Sequence, residues 1–565
     1  MAPKPIPRQA RRSRMAQVVQ AQNDQGAGEQ ADAANGADGV ANANANGVPA
    51  AKANVPAKGT RRPARKRKNE EEEHADEEEE VVRPTKRTKS TAKPKMEYRA
   101  KHPPKSDTVT INKTPKQILD IFVFGEGSSG ELGLGSKKYD GKKPIDVKRP
   151  RINHNLDSKK VGVVQVACGG MHAVALTKDN KIYTWGVNDD RALGRDTTWD
   201  GGLRDVNAED TDDEDDDDSG LNPLESTPGE VSQNHFSPGD IFSQVAATDS
   251  ASFALTTDGR VYGWGTFRGS DGVIGFDLQT RVQPTPVEIP ALKSITKLAC
   301  GSNHVVALDM YGKVYTFGSG GQYQLGRKAT TRHEGTKAGL RPECCYKFSS
   351  KMHAVDISAG SYHSFFIDNH GEVWGWGLNN YSQTGHNDDT GQDDAMVLMP
   401  RPIDSLSGRK ISQIVGGEHH TVACTEDGEL LTWGRIDGHQ VGQSADKFNE
   451  DNTVFDENKR PRILVGPTPV SGIHATSVAA GTDTSFAIDE AGKVYSWGFS
   501  ANYQTGQGTV DDVEVPTLID NTAVRDRKIV WAGAGGQYSI VAAESESTGQ
   551  NGQVNGHANG DGDGS

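Results

Sequence analysis

The chain has 565 residues, with 63 Lys and Arg against 77 Asp and Glu, a formal net charge of −14. Hydrophobic residues make up only 34% while glycine reaches 65, so part of the length falls outside any packed core. The five cysteines (Cys168, Cys300, Cys344, Cys345, Cys424) lack CxxC spacing and read as reduced thiols, and neither a secretory signal core nor a bilayer-spanning run is expected.

Residues 1–115 read as a disordered arm, because no apolar periodicity supports a core. Residues 1–105 hold 22 Lys and Arg against 14 Asp and Glu, a surplus of +8 that leaves −22 for the rest. The Arg-rich, acid-free start resembles a mitochondrial presequence, but Pro3, Pro5 and Pro7 spoil the amphipathic helix that role requires. Two basic clusters follow, Arg61, Arg62, Arg65, Lys66, Arg67 and Lys68, then Lys86, Arg87 and Lys89. Two such clusters on one arm predict nuclear import and DNA contact rather than a solvated tail without a partner. The acidic runs Glu70–Glu73 and Glu77–Glu80 between them should moderate that contact.

A repeat occupies 116–544. An aromatic–Gly pair recurs at Phe124, Trp185, Trp264, Phe317, Trp376, Trp433 and Trp497. A second glycine follows each pair, at Gly133, Gly194, Gly275, Gly326, Gly385, Gly442 and Gly506. Six copies place the two glycines eight residues apart; the third, Gly265 to Gly275, uses ten. Each copy holds β-rich runs separated by turn dipeptides such as Asp258-Gly259 and Asp427-Gly428, a hairpin signal. Proline-containing stretches such as Thr285–Ile289 supply a fourth strand. The prediction is all-β: a seven-bladed β-propeller whose first strand, Ile118–Gly125, joins the last segment, Lys528–Ala543, in one closing blade.

Gly125-x-Gly127-x-x-Gly130 imitates a dinucleotide fingerprint, but Glu131-Leu132-Gly133-Leu134-Gly135 makes a poor helix start, so no cofactor is expected. The acidic stretch at about 205–225, densest over Glu209–Asp218, reads as a disordered loop, with a histone-like contact as the alternative. Residues 545–565 read as a disordered tail.

Two extra residues in the third copy must bulge from the disc. They fall in Phe267, Arg268, Gly269, Ser270, Asp271, Gly272, Val273 and Ile274, a composition suited to an exposed hairpin tip. Gly-x-x-His turns are taken to place His172, His304, His363 and His419 at equivalent positions around one face. Ligands spread over a ring do not converge on a tetrahedral metal site, so no metal is expected, and a structural hydrogen bond to the neighbouring blade is the better reading for any single histidine.

With these motifs the chain resembles the regulator of chromosome condensation family across 117–544, through Gly169-Gly170-Met171-His172, Ala192-Leu193-Gly194-Arg195-Asp196 and above all Phe267–Gly275. The resemblance implies a nuclear, chromatin-associated exchange factor for a Ran-like small GTPase. Such a protein is monomeric, catalyses no covalent step, needs no membrane, and binds DNA, histones and an import receptor. It implies that 267–274 is a wedge entering the GTPase near its phosphate site, and that Asp249, Asn303, His172 and His419 face the GTPase. Departures are visible. Asn303 stands where the founding member has Asp, Ala251 and Thr484 replace His, and Tyr538 occupies another His position. The segment Gly339–Met352, with Lys347 and Lys351, matches that member's nucleosome-touching loop poorly. The competing reading is a propeller scaffold without exchange activity, although no ligase or kinase segment accompanies the repeats.

Overall fold

The computed structural model describes residues 109–201 and 219–545. The predicted β-rich repeats are realised as antiparallel sheets in a β-propeller-like, all-β fold. Five sheets have four strands each, and an eight-stranded sheet consists of two groups sharing the long strand Pro461–Ala480. Within a copy the strands pair in sequence order. Phe242–Ala247, Ala251–Thr256, Val261–Gly265 and Gln283–Glu288 form one sheet, so the proline-containing stretch is its fourth strand. The tight turns use positive φ where the sequence supplies glycine, as at Gly259 (+83°) and Gly428 (+84°).

The two ends of the repeat region meet. Leu119–Gly125 pairs antiparallel with Tyr538–Glu544, Leu119 opposite Glu544 and Gly125 opposite Tyr538. Val147–Ile152 and Ile529–Ala534 complete that sheet. Fully buried side chains from both ends, among them Ile121, Phe124, Tyr538 and Ile540, share one apolar cluster.

A repeated bolt between neighbouring sheets explains the eight-residue spacing. In the six eight-residue copies the carbonyl two residues before the second glycine accepts hydrogen bonds from the next sheet. Ala192 O receives Trp264 Nε1 at 2.7 Å and Ser252 Oγ at 2.8 Å. Gln324 O receives Trp376 Nε1 at 2.9 Å and Ser364 Oγ at 3.1 Å. Gln383 O and Gln440 O repeat the arrangement with Trp433 and Thr421, and with Trp497 and Ser485. At Gly194, Gly326 and Gly442 the glycine sits under the indole: a Cβ on Gly326 would lie 2.8 Å from Trp376 Nε1. Moving either glycine by one residue would separate ring and acceptor.

One junction lacks this bolt. Where the sheet containing Val261–Gly265 meets the next, Phe317 has no indole N–H and Val305 no hydroxyl, and Gly275 packs against Leu340 instead of an aromatic ring. Phe267 fills the gap, fully buried and within 6.1 Å of Phe253 and 5.7 Å of Phe317 between ring centroids. The far end of the junction is clamped by Asn112, whose Nδ2 donates to Thr256 O at 3.0 Å and Ile295 O at 2.8 Å.

Two sequence boundaries change accordingly. Residues 109–115, assigned to the disordered arm, contain this docked Asn112; a single capping amide leaves no periodicity to read. The acidic insertion is drawn to about 225, but Ser219 is already docked, its N–H donating to Ser136 O at 2.8 Å. A short helix at Pro223–Ser226 follows, capped by the Asn222 side chain with proline in its first turn. The acidic run 209–218 and the basic clusters at 61–68 and 86–89 lie outside the described residues, as does the tail beyond 545. After Gly130 the chain turns and forms no helix, so the dinucleotide fingerprint lacks its required context.

Candidate functional site

Strand register places every turn preceding the second strand of a copy at the same end as the aromatic–Gly pair. His172 pairs with Gly186, His304 with Gly318, His363 with Gly377 and His420 with Gly434. The last pairing corrects the sequence reading: His420, not His419, is the repeat histidine, because Gly416 and Gly417 both satisfy the Gly-x-x-His spacing. Ala251, Thr484 and Tyr538 occupy the same register position opposite Gly265, Gly498 and Gly125.

The repeat histidines do not face outward. His172 is 1% exposed, and its Nε2 lies 2.9 Å from Ser252 Oγ on the next sheet. His304 reaches Ser364 at 2.7 Å, His363 reaches Thr421 at 3.0 Å and His420 reaches Ser485 at 2.9 Å. Each hydroxyl already donates to the bolt carbonyl, so the imidazole must be the donor through Nε2–H. Burial pushes the imidazoles down, His172 to about 4 and His420 to about 3, which keeps them neutral. His172 therefore joins the bolts and leaves the set of outward-facing candidates. Tyr538 serves in its place where the two ends of the repeat region meet, its hydroxyl donating to His172 O at 2.5 Å with Gly169 O at 3.2 Å.

The outward residues sit just before these positions. Asp249 and Glu418 occupy one turn position of their copies; Asn303 and His419 occupy the next. Asp249 is exposed at the mouth of a central cavity of about 270 Å³, also lined by Gly170, Ser302, Ser361, Thr482 and Gly536. The surrounding protein pushes its carboxyl up to about 7, an effect that the water at its open side screens. Glu418 is raised to about 7 by burial first, then by Asp483. His419 lies 3.9 Å from Glu418 and is pushed down to about 4 by burial and Arg435, so it stands there as a neutral ring.

A raised carboxyl contributes stability that is full below its unfolded value near 4 and lost as pH rises through about 7. Glu418→Gln should therefore raise the melting temperature at pH 8 by about one to a few degrees and leave it unchanged near pH 4. Equal shifts at both pH values, read by calorimetry, would contradict the buried-carboxyl account.

The ten-residue copy forms a two-stranded hairpin at the same end. Phe267–Gly269 pairs with Gly272–Gly275, with a bulge between Phe267 and Arg268. Arg268, Ser270 and Asp271 are exposed, and a Cβ on Gly272 would meet nothing within 4 Å. Phe267 belongs to the core beneath, so the projecting element is 268–274. Both neighbouring sheets hold its base. Asp190 Oδ2 lies 2.8 Å from Arg268 Nη1, and the Arg268 N–H donates to Asn303 Oδ1 at 2.9 Å. Asn303 Nδ2 reaches Asp249 Oδ2 at 3.5 Å, linking hairpin and ring. Asp190 was missed by sequence reading; its loop shares no spacing with the hairpin 78 positions away.

Among the described residues no group of three or more His, Cys, Asp or Glu is placed to hold a metal ion, and no helix is long and apolar enough to cross a membrane.

The RCC1-like domain family matches residues 120–541. Protein pim1 of Schizosaccharomyces pombe is 42% identical over 441 residues, 76% of each chain. Guanine nucleotide exchange factor SRM1 of Saccharomyces cerevisiae is 39% identical over 434 residues, covering 75% of this chain and 87% of that protein. The crystal structure of Prp20p from Saccharomyces cerevisiae, described with its binding to Gsp1p and histones, superposes with a TM-score of 0.68 at 36% identity, over 77% of this chain and 93% of that one. A structure of Kap60 bound to yeast RCC1 (Prp20) matches at 35% identity with the same TM-score, over 80% of this chain and 97% of that one. With its bolted repeats and its single lengthened hairpin, this chain belongs to the RCC1-like domain family.

Proposed function

We propose that this protein is a guanine-nucleotide exchange factor for a Ran-like small GTPase, built as seven blades closed by the two ends of the repeat region. The observation that carries the reading is the hairpin 268–274. It interrupts an otherwise constant spacing, is linked through Asn303 to Asp249, and rests on the buried Phe267. A relative named as a guanine nucleotide exchange factor supports the chemistry.

No covalent step is required. The bound nucleotide of a small GTPase is gripped through its phosphates and Mg²⁺. A projecting element that displaces this grip weakens nucleotide binding, and by linkage the nucleotide weakens its binding by the same factor. An acceleration of about 10⁵ corresponds to roughly 7 kcal/mol of barrier. Only contacts made as nucleotide leaves can supply it, which favours a rigid hairpin over a floppy loop. Asp190 and Asn303 provide that rigidity, and Asp249 and Glu418 offer polar contacts to the docked partner. The direction of exchange is set by the nucleotide pool.

The basic arm is proposed to serve import and chromatin retention. Two relatives support nuclear partners: Prp20p is described with histones, and Kap60 is seen bound to yeast RCC1. Mixing the protein with a Ran-like GTPase loaded with fluorescent GDP should accelerate release by orders of magnitude. Removing residues 1–105 should leave that rate unchanged while lowering chromatin retention and flattening the salt dependence of DNA binding by about 0.9 per lost phosphate contact. No acceleration by the full protein would leave the scaffold reading in front.

A further inference from the structure

One turn position is left-handed in every copy that keeps the eight-residue spacing. Three residues before the second glycine, φ is +84° at Gly130, +61° at Arg191, +56° at Tyr323, +59° at Ser382, +57° at His439 and +62° at Tyr503. This region strains an L side chain and is open to glycine without strain, yet only the first copy uses glycine. Backbone bonds close the turn. Arg191 N–H donates to Asn188 O at 2.9 Å and Tyr323 N–H to Gly320 O at 3.2 Å, so the fold demands this conformation whichever residue is present.

The side chains at this position differ in what holds them. Ser382 is buried, its Oγ donating to His386 O at 2.9 Å. His439 and Tyr503 are half-buried, and Lys148 Nζ lies 5.4 Å from the centre of the Tyr503 ring. Arg191 and Tyr323 are exposed, and neither side chain makes a hydrogen bond or ion pair among the described residues. The charge of Arg191 reaches Asp196 only through space.

These two residues belong to the copies on either side of the hairpin 268–274. Arg191 follows Asp190, whose carboxylate holds Arg268 at 2.8 Å. The Tyr323 loop begins at Ser319, whose Oγ would lie 3.8 Å from a Cβ on Gly269 and whose N–H donates to Asn303 O at 2.7 Å. A guanidinium and a phenol thus stand in the two loops that flank the hairpin, at a backbone position that glycine would relax. Packing within the chain does not account for either.

We propose that Arg191 and Tyr323 are docking contacts for the GTPase on the two flanks of the hairpin, Arg191 donating to a carboxylate and Tyr323 laying its ring on a partly apolar surface. The assignment rests on the exchange reading. A guanidinium offers five donors in a planar fork and no acceptor, which matches a carboxylate. A phenol presents apolar area with a polar tip, which suits an interface rim. Both stand on turns fixed before docking, so little order is lost when the partner arrives. They align the hairpin with the nucleotide site and act on association, while the hairpin performs the displacement.

The experiment compares the full chain with R191G/Y323G, using a Ran-like GTPase loaded with fluorescent GDP for turnover and the nucleotide-free GTPase for direct binding. Glycine relaxes the left-handed backbone, so the double variant should melt no lower than the parent. Its kcat/KM should fall by about tenfold or more, carried by KM, with kcat within about twofold of the parent. Its Kd for the nucleotide-free GTPase should rise by about tenfold or more. R191G alone should flatten the salt dependence of that binding, as loss of an ion pair requires. Tyr503→Gly makes the same backbone change in a copy away from the hairpin and should leave KM unchanged. An unchanged KM and Kd in the double variant overturns the assignment. So does an equal rise in KM from Tyr503→Gly, which would place the effect in the backbone. If the double variant melts lower, R191N/Y323N takes its place, since asparagine accepts the left-handed region, and the same outcomes decide. A parent protein that releases no nucleotide rejects the exchange reading, and the Kd comparison then decides by itself whether these two side chains meet the GTPase.

Discussion

Replacing Arg268–Asp271 by a two-residue turn is expected to lower nucleotide release from the GTPase by about 100-fold or more, a loss of at least ~3 kcal/mol of transition-state stabilisation. The change restores the eight-residue spacing of the other copies and keeps Phe267, which is 0% exposed and fills the junction that lacks a bolt. Stability should therefore move little, within about 0.5 kcal/mol for surface changes plus the exposed Arg268–Asp190 pair. Phe267→Ala is the wrong experiment, since emptying that core position costs about 3–5 kcal/mol and confounds folding with catalysis. Asp249→Ala is the companion: it should raise KM through lost docking contacts and leave kcat close to the parent value. Stopped-flow release at saturating and limiting GTPase separates the two. A shortened hairpin that folds and exchanges at the parental rate would sink the displacement mechanism.

Trp376→Ala should destabilise the fold by about 3–5 kcal/mol, far more than the same change at the partly exposed Trp199. Trp376 is fully buried, donates to Gln324 O at 2.9 Å, and covers Gly326, so truncation removes ring and bond together. Gly326→Ala attacks the same bolt from the other side. Its φ of +60° disfavours an L side chain, and the new methyl would lie 2.8 Å from the indole nitrogen. Urea midpoints for the three variants test the account: it fails if Trp376→Ala costs no more than Trp199→Ala.

The bolt also explains where the hairpin could arise. A lengthened copy displaces the acceptor carbonyl from the register that the next indole requires. In this chain the sheet after the hairpin carries Phe317 and Val305, which ask for no such acceptor, and Ala251 replaces the histidine on the preceding one. Three departures from the repeat pattern, Ala251, Val305 and Phe317, and the two-residue insertion thus fall at one junction, where Phe267 and Asn112 supply substitute contacts.

Periodicity makes the repeat architecture legible in the sequence. The seven aromatic–Gly pairs, the turn glycines and the orphan first and last runs predicted antiparallel repeats and the pairing of chain ends, because a short-range pattern must satisfy the same local geometry in every copy. The single ten-residue spacing likewise exposed the hairpin. What required the tertiary structure was every relation between different copies. Gly416 and Gly417 both fit the histidine motif, and only strand pairing selected His420 over His419. His172 matched an outward-facing position in sequence, yet register turns its ring into the bolt with Ser252. Asp190 and Asn112 carry no motif at all, since each is one polar side chain whose partners lie 78 to 183 residues away. The chain alone determines which backbone each segment adopts; which side chains meet across a junction is decided by packing, because distance along the sequence carries no record of it.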